Sequence, residues 1–167
     1  MNFTIRRATA GDETFLWQML YYAAHMDEEP GMTVESAKMN PDLAYYVENW
    51  GAGSADVGFI AIAPDGSLAG AAWIRLMPPS SPLYRYVAAD VPELAIAVAP
   101  GSIGSGAGTA LMRSVLDEAR DRHHTIALSV RATNPAKRLY ERFGFATVVS
   151  IRNRVGTESF VMRCDLV

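Results

Sequence analysis

The stretch VAPGSIGSGAGTALM, residues 98–112, joins a β-type run to a helix-type run through four glycines: Gly101, Gly104, Gly106 and Gly108. Ahead of it, ELAIAV (93–98) alternates, so Glu93, Ala95 and Ala97 share one strand face and Leu94, Ile96 and Val98 the other. Behind it, Leu111, Met112, Val115, Leu116 and Ala119 recur at helical spacing and form one apolar stripe. A second buried-type strand, TIALSV (125–130), follows that helix. Strand, glycine turn, helix and strand together make a crossover unit, which places the chain in the mixed α/β class.

The remaining elements surround this unit. FTIRRA (3–8) alternates as a half-buried strand, and Thr9 with Asp12 three residues on marks a helix start. Phe15, Leu16, Met19, Leu20 and Ala23 continue that helix until EEPGM (28–32) breaks it. A second short helix is expected over 42–50. Strands over 57–63 and 67–77 flank a PDG turn, and a proline-rich loop (78–92) leads into 93–98. Asn134, Pro135 and Gly144 occupy the N-cap, first-turn and C′ positions of a compact helix over 134–144. A closing hairpin pairs 146–152 with 158–166. The expected order is β-α-α-β-β-β-α-β-α-β-β in a single domain over residues 1–167, without repeat, linker or low-complexity tract.

Backbone free of side chains at a helix N-terminus forms a positive cup for a phosphate. The alternative is a plain strand–helix turn. Two phosphate motifs are excluded. The dinucleotide fingerprint needs a third glycine at position 109, which is Thr109, and a P-loop needs a lysine, absent between 98 and 112. The net charge of −3 provides no basic footprint for nucleic acid. The single cysteine, Cys164, allows no internal disulfide. No apolar run reaches the ~18 residues of a membrane span, and the N-terminal residues do not form a signal peptide. The expectation is a cytoplasmic protein with no nucleic-acid or membrane partner. A homodimer stays open.

The next strand leads into NPAKRLYERFGF (134–145). With ELAIAVAPGSIGSGAGTALM it carries Val98, Pro100, Gly106, Gly108, Asn134, Ala136, Tyr140, Gly144 and Phe145 in one order and spacing. In these residues the chain resembles the GNAT superfamily of acyl-CoA-dependent N-acetyltransferases. The motifs cover 93–145, and the element order and TIRRATAGDE (4–13) extend the likeness more weakly over the chain.

The resemblance implies a GNAT-like mixed, splayed central sheet flanked by helices, whose opening takes the pantetheine arm of acetyl-CoA. It implies that backbone along Ile96, Ala97 and Val98 pairs with the pantetheine amides. Amides of Ile103, Gly104, Ser105, Gly106, Ala107, Gly108 and Thr109 would hold the pyrophosphate, with Asn134 and Ala136 completing the cofactor set. One position departs: Ile103 stands where the family usually has Arg or Gln. The cup is made of backbone and survives, but one charged phosphate contact is missing. A non-catalytic acyl-CoA-binding module is therefore the alternative to an N-acetyltransferase acting on a primary amine of a small molecule or peptide.

The candidate chemistry divides between two residues. Tyr140 matches the family's proton donor to the leaving thiolate, although Ala136, Leu139, Tyr140 and Phe143 also share a core-type helix face. Glu93 at the strand start is a candidate base for the amine, or a strand-end charge in solvent, with Asp90 a weaker candidate. Asn134 is an N-cap, a pantetheine ligand, or both. Cys164 lies in the last strand away from both motifs, which favours direct transfer in a ternary complex. His25, His123 and His124 have no metal-ligand spacing, so no metal is expected. Residues 27–48 set Asp27, Glu28, Glu29, Glu35, Asp42 and Glu48 against Lys38 alone, together with Tyr45 and Tyr46. That segment is either an acidic, aromatic rim for a cationic acceptor or a solvated acidic face.

Overall fold

The computed structural model describes residues 2–53 and 55–166. Its strands are β1 (Thr4–Arg7), β2 (Val57–Ile62), β3 (Leu68–Leu76), β4 (Pro92–Val98), β5 (Thr125–Arg131), β6 (Ala146–Arg152) and β7 (Glu158–Asp165). Its helices are α1 (Glu13–Ala23), α2 (Val34–Met39), α3 (Pro41–Ala44), α4 (Ala107–Arg120) and α5 (Lys137–Arg142). The strands form one sheet in the order β1-β2-β3-β4-β5-β7-β6. All neighbours are antiparallel except β4 and β5, which α4 connects. Among the described residues no helix is long and apolar enough to cross a membrane.

The register explains where the sheet opens. β3 and β4 pair continuously from Gly70↔Val98 to Leu76↔Pro92, whereas β4 and β5 share only Glu93↔Ala127. Beyond that pair the parallel strands part, which is the splay the resemblance implies. Helices cover both faces. Leu94 packs on the α4–α5 side with Leu111, Met112, Val115, Leu116 and Ala119, the stripe expected from spacing. Ala95 packs on the α1–α3 side with Leu16, Trp17, Leu20 and Trp73. The loop before β4 adds Leu83 and Val91 against Ala127 and Val161.

Two helices differ from expectation. Val34–Met39, where no element is expected, form α2, whose N-cap Thr33 accepts from the Ser36 amide through its Oγ1. The helix expected over 42–50 is regular only in α3, started by Asn40 Oδ1 on the Asp42 amide and Pro41 at the first turn. It stops because β3 takes the next carbonyls. Trp73 Nε1 donates to Tyr46 O (2.9 Å), and Arg75 donates to Tyr45 O (3.0 Å) and Glu48 O (2.7 Å). α5 is shorter than 134–144 because its opening turn closes i→i+3, from the Lys137 amide to Asn134 O.

Candidate active site

The parting strands enclose a cavity of about 790 Å³ that reaches both faces of the sheet. One wall is β4 from Leu94 to Val98, including Ile96 and Ala97, and the other is β5 from Leu128 to Arg131. Since β5 pairs with β4 only at Glu93, the β4 edge that faces the cavity has no strand partner among the described residues. Gly108, Ala136, Leu139 and Tyr140 line the cavity on the α4–α5 side, and His25, Tyr45, Tyr46 and Glu93 on the α1–α3 side.

Of the glycine run, Pro100, Ile103 and Gly108 line the cavity, whereas Gly104, Ser105, Gly106, Ala107 and Thr109 do not. A 3-10 turn, Pro100–Ser102, precedes Ile103, which is 74% exposed and also lines the cavity. Gly104 and Gly106 adopt φ of +79° and +92°, and a Cβ on either would meet no atom within 4 Å. Glycine is required there by backbone conformation, and the space in front of the turn is open. The Ser105 hydroxyl bonds the Ser102 carbonyl. Gly106 caps α4, so the amides of Ala107, Gly108 and Thr109 begin a helix of 14 residues with no intrahelical acceptor. At Gly108 a Cβ would make ordinary contacts, 3.6 Å from Leu139 and 3.7 Å from Val98.

Glu93 is not a solvated strand end. It is 3% exposed, at the vertex where β4 and β5 still pair. Tyr45 Oη and Ser81 Oγ each lie 3.2 Å from its Oε1, and Tyr46 Oη donates to Oε2. Burial pushes its carboxyl up to about 7, against the opposing pull of the Tyr46, Ser81 and Tyr45 hydroxyls. Tyr140 sits across the sheet, 7% exposed, with its ring edge-on to Phe145. It is therefore part of the core and of the cavity wall together. Burial pushes its phenol up to about 12. Asn134 Oδ1 accepts from the Ala136 amide (2.9 Å), the capping role, while its Nδ2 is 3.4 Å from His25 Nε2.

The GNAT acetyltransferase family model matches residues 17–145, most of the chain, including β4, the glycine run, β5 and α5 of this cleft. The chain belongs to the GNAT acetyltransferase family. The family's members are acetyl-CoA-dependent N-acetyltransferases. Solved GNAT structures share the fold at low identity. A chimeric spermidine N-acetyltransferase from Vibrio cholerae superposes with a TM-score of 0.67 at 21% identity, covering 99% of this chain and 96% of that one. A GCN5-related N-acetyltransferase from Kribbella flavida gives 0.67 at 21%, covering 98% and 97%. The ribosomal-protein-S18-alanine N-acetyltransferase from Escherichia coli gives 0.67 at 22%, covering 99% and 94%. No curated protein sequence matches the chain significantly.

Within this GNAT frame several expectations are corrected. Cys164 is in β7 as expected, but it is not remote from the second motif: its Sγ lies 3.6 Å from Phe143 O, under the end of α5. It is buried and does not line the cavity. Asp90 does not line the cavity either. Three residues of the acidic segment are paired, Glu28 with Arg131 (3.6 Å), Glu29 with Arg154 (3.0 Å) and Glu35 with Lys38 (3.2 Å), while Asp27, Glu28 and Asp42 line the cavity. Tyr45 and Tyr46 line the cavity beside them and direct their hydroxyls at Glu93.

Ser81 joins the site without any motif that marks it, and His25, which no metal-ligand spacing surrounds, lines the cavity. His25 follows α1 with φ +58° and bridges Asn134 and Glu28, a left-handed position that spacing does not reveal. The signal for Ser81 and the tyrosines was Glu93 itself. A carboxylate on a face otherwise made of Ala95 and Ala97 must draw polar partners from the facing layer.

Proposed function

We propose that the chain transfers the acetyl group of acetyl-CoA to a primary amine of a small molecule or peptide, by direct transfer with both substrates bound. The observation that carries this is one cleft open to both sheet faces, with Tyr140 on one side and Glu93 on the other. Acetyl-CoA supplies an activated thioester. The amides of 103–109 receive its pyrophosphate, the free β4 edge at Ile96, Ala97 and Val98 its pantetheine, and Asn134 and Ala136 flank the arm.

Glu93 takes a proton from the acceptor nitrogen, directly or through water, and its position near pH 7 suits that role. The new N–C bond forms as the C–S bond breaks. Tyr140, kept protonated by burial, gives the sulfur a proton and regains one from solvent. Cys164 is not used. Incubating the protein with acetyl-CoA and a panel of spermidine, glycine and an alanine-initiated peptide tests the reading. Thiol release matched by an acetylated amine is expected. Acetyl-CoA binding with no amine acetylated overturns it and leaves a binding module.

A further inference from the structure

The partners of Glu93 are arranged in an unusual way. Tyr45 and Tyr46 are consecutive, yet both hydroxyls reach one carboxylate, and their rings stack with centroids 4.4 Å apart. On a regular helix successive side chains diverge by about 100°. β3 holds the turn in its altered shape through the bonds from Trp73 to Tyr46 O and from Arg75 to Tyr45 O and Glu48 O. Ser81 completes the cluster, its Oγ 3.2 Å from both Tyr45 Oη and Glu93 Oε1.

The charges around this cluster matter as much as the hydroxyls. Arg75 is the register partner of Glu93 across β3 and β4. Its guanidinium turns away and pairs with Asp56 at 3.0 and 2.8 Å. β5 presents Ala127 opposite Glu93, with no charge. Among the described residues Glu93 is thus hydrogen-bonded by Tyr45, Tyr46 and Ser81 only. A paired arginine would keep the carboxylate ionised far below neutral pH and make it a weak base. Neutral donors offset burial only in part, so the carboxylate can both gain and lose a proton near neutrality.

We infer that Tyr45 and Tyr46 are positioning residues for the transfer: their phenols fix both oxygens of Glu93 at the vertex of the cleft, and Trp73 and Arg75 fix the phenols. This rests on the reading of Glu93 as the group that takes the acceptor's proton. The hydroxyls favour the ionised form, so removing them makes Glu93 harder to ionise.

Carbon-13 labelling of glutamate carboxyls reads this directly, with Glu93 assigned by its loss in Glu93→Gln. The titration midpoint of Glu93 is measured in the wild type, in Tyr46→Phe and in the Tyr45→Phe/Tyr46→Phe double variant, which keep the stacked rings. Each lost donor should move the midpoint up by roughly 1 to 2 on the pH scale. The acid limb of kcat/KM, measured with acetyl-CoA and the fastest amine of the panel above, should move with it. A midpoint unchanged in the double variant overturns the inference alone. An acid limb at the titration midpoint of Glu93 that survives Glu93→Gln, as distinct from the higher limb set by the amine's own ionisation, overturns the base reading beneath it, and the inference falls with that reading.

Discussion

Replacing Ile103 with arginine should tighten acetyl-CoA binding at little cost in stability. Fully burying an isoleucine contributes about 1.5–3 kcal/mol. At 74% exposure Ile103 retains about a quarter of that, on the order of 0.5 kcal/mol. Packing on α4 is therefore not its role, and Ile103 lines the cavity. A hydrogen bond to a charged group adds roughly 1.5–3 kcal/mol net, which is about 10–100-fold in affinity. The contact is exposed, and the Debye length falls from about 10 Å at 0.1 M salt to about 3 Å at 1 M. Most of the gain should disappear at the higher salt. Calorimetric titration of both proteins at both salts measures the effect, and melting of the free proteins should agree to within about 2 °C. Weaker binding by the variant at both salts would refute the reasoning, because position 103 would then not face the pyrophosphate.

Gly106→Val places a side chain at φ +92°, costing about 1–2 kcal/mol, and should also abolish the rise in Tm that acetyl-CoA produces. A full ligand-induced rise on top of the lower Tm would show that the run is only a turn. Tyr140→Phe should keep the fold and acetyl-CoA binding but lower kcat about 10²-fold; unchanged kcat with a lower Tm would leave Tyr140 a core residue. Glu93→Gln should lower kcat, with partial recovery at high pH where more amine is already neutral, and a wild-type pH profile would remove Glu93 from the mechanism. The same variant has a stability signature. In the wild type the folded-state value of about 7 lies above the ordinary 4.5, so ionising Glu93 favours unfolding. The effect is absent below 4.5, grows between 4.5 and 7, and is complete above 7, reaching about 3 kcal/mol. The Tm of Glu93→Gln relative to wild type should therefore climb from pH 5 to pH 8, and parallel Tm curves would contradict the burial of this carboxylate.

The crossover unit was legible in the sequence because its signals are local. Alternation set the two faces of β4, spacing set the buried stripe of α4, and Asn134 with Gly144 bracketed α5. The surroundings of Glu93 were not legible in the same way. Its neighbours come from residues 45–46 and 81, held there by Trp73 and Arg75 of β3, and no periodicity links segments so far apart in the chain. The same long-range bonds explain why a helix expected over 42–50 ends at Ala44: indole and guanidinium donors on β3 take the carbonyls of Tyr45, Tyr46 and Glu48. Charge counting along the chain also does not see Arg131 and Arg154, which come from β5 and the turn after β6 and pair with Glu28 and Glu29.

Hydrogen exchange of the backbone amides with and without acetyl-CoA tests the cleft most directly. Amides at 96–98 and 103–109 should slow with acetyl-CoA and stay unchanged with NAD or ATP. No protection at these amides, or equal protection by NAD, would contradict the assignment of this cleft to an acyl-CoA.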